Sequence, residues 1–146
     1  MRTAAAEALV ALEPQAALAL WTDTRRWATF VDGFARVLER GEDWPAERSK
    51  VVWETRPDGR GRVSEKVVDR GEAHIRTRVF EERLNGTQTA RFENGRLELR
   101  LEYELAAGGP LGGLADALFI RRALRDSLRR TAHRFAVEAE EEASLG

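Results

Sequence analysis

The 146-residue sequence predicts an α+β fold: a curved antiparallel sheet of about seven strands wrapped around a long C-terminal helix, with two short helices after the first strand. Three observations predict this fold. Residues 34–106 alternate apolar and polar side chains between Gly-containing turns, residues 13–33 carry helix start and stop signals, and residues 113–142 carry a helical apolar stripe. The length fits one domain over residues 1–146.

The first part of the chain predicts a strand followed by two short helices. Residues 3–12 are rich in Ala, Leu and Val without a helix cap, which favours an opening strand. Pro14 begins a helix that ends at Thr22, because Pro at the first helical position loses no hydrogen bond. Asp23 is the predicted cap of a second helix over residues 24–32, which Gly33 ends.

Residues 34–106 predict an antiparallel meander of six strands. The predicted turns are Asp58-Gly59, Arg70-Gly71, Asn85-Gly86 and Asn94-Gly95. The clearest strand covers residues 96–105, where one face is apolar: Leu97, Leu99, Leu101, Tyr103 and Leu105. A two-residue turn at Asn94-Gly95 pairs Phe92 with Leu97, and a second at Asn85-Gly86 sets Val79 opposite Phe92.

Odd loop lengths keep the apolar face continuous through the earlier strands, because a one-residue change of register would turn every side chain over. The predicted pairs are Val51 with Val67, Trp53 with Glu65 and Thr55 with Val63, then Val67 with Ile75 and Glu65 with Thr77, the last two across a three-residue loop over residues 70–72. This phase places a carboxylate, Glu65, on the apolar face beside Trp53 and Thr77.

The final helix carries a broad apolar stripe at intervals of about 100°. Its members are Leu114, Ala117, Leu118, Ile120, Leu124, Ser127, Leu128, Thr131, Ala132, Phe135 and Ala139. Phe119, Arg122, Asp126, Arg130 and His133 fall on the opposite side, which predicts that they are solvated. Arg121 and Arg125 lie at the stripe's margin, where each either reaches inward or extends its guanidinium into water.

Two segments resemble a known superfamily. The segment Asp23-Thr-Arg-Arg-Trp27-Ala-Thr-Phe30 is similar to its D-x-x-x-W-x-x-F segment, and residues 109–112 followed by 114–119 are similar to its G-P-L-G hinge and closing helix. The sequence thereby resembles the SRPBCC or START-like superfamily, which includes polyketide cyclase/dehydrase and lipid-transport proteins and the birch-pollen-allergen fold. The resemblance implies a helix-grip fold with an internal cavity, entered near the hinge and the small helices, that takes apolar or aromatic molecules.

The predicted elements indicate the same cavity without the resemblance, because a bent sheet and one helix do not fill the space between them. The predicted apolar wall consists of Trp27, Phe30, Trp53, Ile75, Val79, Phe92, Leu99, Leu101, Leu114, Leu118, Leu124 and Leu128. Plain core packing is the alternative for each of these residues. The predicted inward polar groups are Glu65, Thr77, Gln88 and Tyr103, with Arg121 or Arg125. Trp44, Phe80 and His74 are expected outside the cavity.

Glu65, Tyr103 and Arg121 are the candidate catalytic residues. A carboxylate beside Trp53 is disfavoured in its charged form by desolvation unless an Arg pairs with it. An unpaired Glu65 is suited to general acid-base catalysis, and one paired with Arg121 is suited to orienting a ligand carbonyl or carboxylate. The alternative is that Glu65 lies at the sheet rim and reaches water.

Composition excludes several classes of function. The net charge is -1, from 24 basic and 25 acidic residues, so no field of one sign attracts nucleic acid. The chain has no cysteine, and its two histidines show no metal spacing, so we expect neither a metal nor a cofactor. No apolar stretch approaches the length of about 20 residues of a membrane span, and the N-terminus lacks signal-peptide features. A cytoplasmic monomer or homodimer is expected.

Three functions remain open. The favoured one is binding of a hydrophobic small molecule such as a lipid, a quinone or a polyketide-like aromatic. The second is an aromatase/cyclase-type enzyme that assists aldol closure and dehydration of a polyketide. The third is a cochaperone-like module that binds a protein partner with the outer face of the sheet.

Overall fold

The computed structural model describes residues 1–57, 61–106 and 114–146, and the side chains of residues 114–116 lie outside the description. The described residues form seven strands and three α-helices. In chain order these are β1 (Arg2–Leu9), α1 (Pro14–Thr22), α2 (Trp27–Phe30), β2 (Phe34–Arg40), β3 (Lys50–Thr55), β4 (Arg62–Arg70), β5 (His74–Phe80), β6 (Leu84–Glu93), β7 (Arg96–Leu105) and α3 (Leu114–Leu145).

All seven strands form one curved antiparallel sheet in the order β1-β7-β6-β5-β4-β3-β2. The long helix α3 packs against β1, β7 and α2 on the concave face. The predicted α+β helix-grip fold is therefore confirmed. The predicted hinge at residues 109–112 and the Asp58-Gly59 turn lie outside the described residues.

The first strand and the short helices follow the local signals closely. Strand β1 ends at Leu9, three residues before the predicted limit, and α1 has the predicted bounds. Asp23 is the N-cap of a single 3₁₀ turn, Thr24–Arg26, and its side chain accepts a hydrogen bond from the backbone N–H of Arg25 at 3.1 Å. The predicted second helix is thus this 3₁₀ turn followed by α2. Gly33 has a φ of +74°, the left-handed conformation that the stop signal predicts.

One of the two Asn-Gly turns is where the sequence predicts it and the other is not. Asn94 and Gly95 have φ of +54° and +69° and connect β6 to β7, so Phe92 pairs with Leu97 as predicted. The predicted turn at Asn85-Gly86 is wrong, because both residues lie inside β6. The chain reverses over residues 81–83, and the backbone N–H of Glu81 donates to the Leu84 carbonyl at 3.0 Å.

The observed register of the sheet differs from the predicted one, but the faces to which the side chains point do not. Val79 faces Gly86 and not the predicted Phe92, a shift of six residues. In the earlier hairpins Val51 faces Glu65, and Glu65 faces Val79, which are shifts of two residues from the predicted pairs. All these shifts are even, so the predicted inward faces are correct although the pairing is wrong.

The core lies between the concave face and α3. The apolar stripe of α3 is buried at Ala117, Leu124, Leu128, Thr131, Ala132, Phe135 and Ala139. Leu118 is 47% exposed, so its predicted place in the buried wall is wrong. Phe119 and His133 are exposed as predicted. Among the described residues no helix is long and apolar enough to cross a membrane.

We predict that Gly86→Ala destabilises the fold by about 1–3 kcal/mol, because a Cβ at Gly86 would overlap the Glu102 carbonyl oxygen and lie 3.0 Å from the Tyr103 Cα. Asn85→Ala is the matched control, since Asn85 is half-buried in the same strand, and we expect it to change stability by about 0.5 kcal/mol or less. Urea unfolding of the two variants measures the difference. Equal stabilities would contradict the observed position of Gly86 inside β6.

Candidate functional site

A cavity of about 50 Å³ lies between the concave face of the sheet, the short helices and α3. This volume holds a few water molecules. Its lining comes from α1, α2 and the residues that follow α2, from five strands, and from the middle of α3. The lining residues are Trp21, Trp27, Phe30, Val31, Asp32, Trp53, Val63, Glu65, Val79, Gln88, Leu99, Ser127, Leu128 and Thr131.

Aromatic rings form much of the cavity wall. Trp27 and Trp53 meet at 74° with their ring centroids 6.2 Å apart, so the two rings form adjoining walls of a corner. Trp21 stacks on Phe30 at 5.6 Å. The indole N–H of Trp27 donates to the Trp21 carbonyl at 2.8 Å, which fixes α2 against the end of α1. These contacts set the orientation of the aromatic rings relative to one another.

Trp44 lies inside the protein, which corrects the prediction that it lies outside the cavity. It comes from the loop between β2 and β3, as predicted, but it is 6% exposed. Its ring meets Trp27 at 89° with centroids 6.0 Å apart, and its indole N–H donates to the Thr22 carbonyl at 2.9 Å. The sequence around Trp44 is polar and carries no apolar periodicity, so only the tertiary structure reveals its burial.

Glu65 is the charged group that the sheet brings to the cavity. Its side chain is 9% exposed, which rules out the alternative of a solvated rim position. The Trp53 indole N–H donates to Glu65 Oε2 at 2.8 Å, and the Thr77 hydroxyl donates to Oε1 at 3.0 Å. Both donors are diagonal neighbours on the adjacent strands. The predicted grouping of these three side chains is therefore observed, and the carboxylate is held by two buried hydrogen bonds.

A second cavity of about 10 Å³ lies beside the first. This space is enough for about one water molecule. Four residues line both cavities, namely Trp21, Trp27, Glu65 and Gln88, so the boundary between the cavities is partly aromatic and partly polar. The residues that line the second cavity alone are Thr22, Trp44, Ile75, Thr77 and Ala90. The predicted inward positions of Ile75, Thr77 and Gln88 agree with this lining.

Asp32 also lines the first cavity, where the chain leaves α2. Its backbone N–H donates to the Thr131 hydroxyl at 3.0 Å. Its carboxylate accepts two hydrogen bonds from Arg130, at 2.9 and 3.0 Å, and a third from Arg134 at 3.2 Å. Burial alone would raise the pKa of Asp32, but hydrogen bonds from Arg130 and Ser127 and the nearby positive charges outweigh it, so the pKa is lowered.

The other predicted site residues lie away from the two cavities described. Phe92, Leu101, Tyr103 and Leu124 are buried core residues that line neither one. The Tyr103 hydroxyl is buried and has no hydrogen-bond partner among the described residues. Arg121 and Arg125 are exposed, so of the two alternatives the solvated position is observed and the inward one is not. The Leu114 side chain lies outside the description.

Neither histidine lines the two cavities described, and His133 is exposed as predicted. His74 is partly buried and lies 3.0 Å from Asp69, with its side chain away from the concave face. Within the described ranges, no group of three or more His, Asp and Glu side chains is arranged to hold a metal ion.

Sequence reasoning missed several lining residues. Trp21 lies four residues after Ala17 and three after Leu18, a spacing that predicts burial of that helix face. Asp32 carries no comparable signal, because an Asp before Gly is equally typical of a solvated turn. Its role depends on Arg130 and Arg134, which are about 100 residues away in the chain.

We predict that Asp32→Asn lowers the free energy of unfolding by about 1 kcal/mol at neutral pH, because the ion pairs with Arg130 and Arg134 are half exposed. Because the pKa of Asp32 is lower in the folded state, its ionised carboxylate stabilises the folded protein at pH values above the unfolded-state pKa of about 4. The difference between wild type and variant therefore disappears as the pH falls through the folded-state pKa of Asp32. Urea unfolding at several pH values measures it.

Asp126→Asn is the control for this prediction, since Asp126 is exposed and lies 4.0 Å from the Arg125 guanidinium. We expect no measurable loss of stability in that variant. A loss in Asp32→Asn that stays constant down to the acid transition would contradict the assignment to an ionised carboxylate.

The chain matches the sequence model of one protein family and shares its fold with several solved structures. The family described as "Polyketide cyclase / dehydrase and lipid transport" matches residues 1–140. The di-domain ARO/CYC StfQ from the steffimycin biosynthetic pathway has a TM-score of 0.77 and 18% identity over 97% of this chain. The chain spans 52% of StfQ, about half its length. No curated protein sequence matches the chain.

Two further structures are similar over nearly their full length. The Zhui aromatase/cyclase from a Streptomyces species has a TM-score of 0.66 and 18% identity, over 96% of this chain and 94% of that one. A START superfamily protein from Mycobacterium smegmatis has a TM-score of 0.69 and 12% identity, over 95% and 97% of the two chains. With the family model matched from residue 1 to residue 140, the chain belongs to the polyketide cyclase/dehydrase and lipid transport family.

Proposed function

We propose that residues 1–146 form one ligand-binding domain of a cytoplasmic protein, which holds a hydrophobic or aromatic small molecule between the sheet and α3. The proposed ligand is a lipid, a quinone or a polyketide-like aromatic compound. One observation carries the proposal: a cavity walled by Trp21, Trp27, Phe30 and Trp53 has a buried carboxylate at its sheet end. Small-molecule sites typically combine apolar walls with a few fixed polar groups.

The lining favours a planar aromatic ligand with a hydroxyl or carbonyl group. Flat indole and phenyl rings offer faces for another ring, whereas an acyl chain needs only aliphatic walls. Gln88 supplies both an N–H donor and a carbonyl acceptor at the sheet end of the cavity, and Glu65 supplies acceptor oxygens. A ligand hydroxyl or enol that reaches this end is therefore matched by both side chains.

The cavity is smaller than a two-ring molecule, so binding requires the walls to move apart. We place this movement at the corner after α2, because Val31 and Asp32 border the cavity there. Polar contacts from Asp32 to α3 join this corner to the helix. Such contacts exchange with water at lower cost than the aromatic packing deeper inside.

Enzymatic cyclisation is the second candidate function, and the position of Glu65 favours it. Aldol closure of a poly-β-ketone needs a base that removes an α proton and an acid that assists loss of water. Two hydrogen-bond donors fix Glu65 beside the aromatic walls, which is the placement that such a group needs. Two of the structures that share this fold are described as an ARO/CYC and an aromatase/cyclase. Among the candidate catalytic residues, we retain Glu65 in this role.

We predict that 1-naphthol, a two-ring phenol, binds saturably and changes the fluorescence of the cavity tryptophans, and that it binds more tightly than oleate. Glu65→Gln weakens naphthol binding about tenfold, because it removes a charged hydrogen-bond acceptor. Glu102→Gln is the matched control, since Glu102 lies on the outer face of β7 and pairs with Arg100. A fluorescence titration of each folded variant measures the dissociation constants.

Two results would count against the binding proposal. Absence of saturable binding by naphthol, menadione and oleate would remove the small-molecule function altogether. Equal affinities in Glu65→Gln and Glu102→Gln would leave a cavity that binds without the polar contact assigned to Glu65.

For the enzymatic candidate, we predict that a linear poly-β-ketone thioester is converted to a cyclised, dehydrated product. The rate should fall by about 10²-fold or more in Glu65→Gln, because a general acid-base group contributes at least that factor. Mass spectrometry of the product measures the rate, and the naphthol affinity of the same variant separates catalysis from binding. Cyclisation at an unchanged rate in Glu65→Gln would remove Glu65 from the chemistry.

A further inference from the structure

The two edge strands of the sheet, β1 and β2, differ in how well they are protected against pairing with another strand. Strand β2 has register shifts at two places against β3, between Phe34 and Arg36 and between Val37 and Glu39, and it carries Arg36, Glu39 and Arg40. Bulges and charges on an edge are devices that discourage a further strand from pairing. Strand β2 is therefore protected.

Strand β1 lacks these devices. It pairs with β7 at eight consecutive positions, Arg2 to Leu9, with no register shift. Four of its eight residues are Ala, and its charged residues are Arg2 and Glu7. A long, regular and weakly charged edge presents a row of backbone donors and acceptors that another strand can use.

Exposed apolar side chains lie at both ends of β1. Met1 is 85% exposed and Leu9 is 72% exposed, the two highest values among the large apolar residues described apart from Leu145. Ala5, midway between them, is also exposed. Because these apolar groups lie at equal distances on either side of a central small residue, two antiparallel copies of the strand place the apolar end of each beside the apolar end of the other.

We propose that β1 is a homodimer interface, at which the β1 strands of two copies of this chain pair antiparallel about a twofold axis at Ala5. The sheets of the two copies then continue into each other across the axis. Such an interface is isologous, because the same surface serves both copies.

Symmetry restricts the register of this pairing. A twofold axis between antiparallel strands sets each residue opposite a residue on the same face of the sheet. Because side chains alternate between the two faces, the sequence numbers of two paired residues are both odd or both even, and their sum is even. The inward face of β1 carries Ala4, Ala6 and Ala8, which pair with Leu101, Leu99 and Leu97 of β7. An even register keeps these inward faces on one side in both copies.

Side-chain chemistry then selects the axis at Ala5 among the even registers. This axis pairs Met1 with Leu9 of the second copy, and so covers both exposed apolar side chains. It also pairs Thr3 with Glu7, which keeps the two Glu7 carboxylates apart by four residues, about 13 Å along the strand. An axis at Glu7 would instead oppose the two carboxylates directly, which is destabilising.

The first test is the mass in solution. We expect light scattering after size exclusion to give twice the 16.4-kDa monomer mass for the wild type. Ala5→Lys should give the monomer mass, because two lysines would face each other at the axis. Ala35→Lys, at an exposed position of the protected edge β2, is the matched control and should remain dimeric.

The second test is disulfide cross-linking. Because the sequence has no cysteine, an introduced cysteine is the only thiol that can react. Directly opposed residues of antiparallel strands have Cα atoms about 4.5–5.5 Å apart, within the range of about 4.4–6.8 Å for a disulfide. Ala5→Cys should therefore oxidise to a covalent dimer. Glu7→Cys, exposed on the same face, should not, because its own counterpart lies four residues away.

Three outcomes would overturn the proposal. A wild-type protein that is monomeric at every accessible concentration would leave β1 unpaired or available to another molecule. A dimer that survives Ala5→Lys would use a different surface. Equal cross-linking of Ala5→Cys and Glu7→Cys would show random collision and no fixed register.

Discussion

The hydrogen bonds from Trp53 and Thr77 to Glu65 are the constraint on which the rest of the site depends. A carboxylate on the concave face of a sheet is costly unless donors satisfy it, and here a donor comes from each neighbouring strand, at 2.8 and 3.0 Å. Strands β3, β4 and β5 are thereby aligned around one polar group. The indole that satisfies Glu65 also forms a corner with Trp27, so the polar and aromatic parts of the cavity share a side chain.

Ion pairs between the short helices and α3 complete this arrangement from the other side. Arg26 bonds Glu138 at 2.7 Å and Glu142 at 3.1 Å, and hydrogen bonds from Arg26 and Thr29 lower the pKa of Glu138. Asp32 bonds Arg130 and Arg134 one to two turns earlier on the same helix. The aromatic wall formed by α1 and α2 is therefore held against α3 by charged contacts at the surface and by ring packing inside.

The sequence predicts the faces of the strands better than their partners. Alternation depends only on each strand's own residues, so Glu65, Thr77 and Gln88 face inward as the sequence predicts. Register depends on which residues turn, and Asn85-Gly86 has the composition of a turn although a close approach of β7 at Gly86 is what requires the glycine. The sequence does not reveal the positions of Trp44 and Asp32, because their hydrogen-bond partners are distant in the chain and come close only in the folded protein. Leu118 is exposed although the neighbouring Ala117 is buried, so at this end of α3 the buried stripe is narrower than the apolar pattern predicts.

The most direct test of a ligand site beside Glu65 is the ¹H–¹⁵N spectrum of the indole N–H groups, since each of the four tryptophans borders at least one of the two cavities. On addition of 1-naphthol, we expect the signal of Trp53, whose indole N–H is hydrogen-bonded to Glu65, to shift together with that of Trp27. Saturable binding that leaves all four indole signals in place, with shifts confined to amides of the outer face, would contradict it.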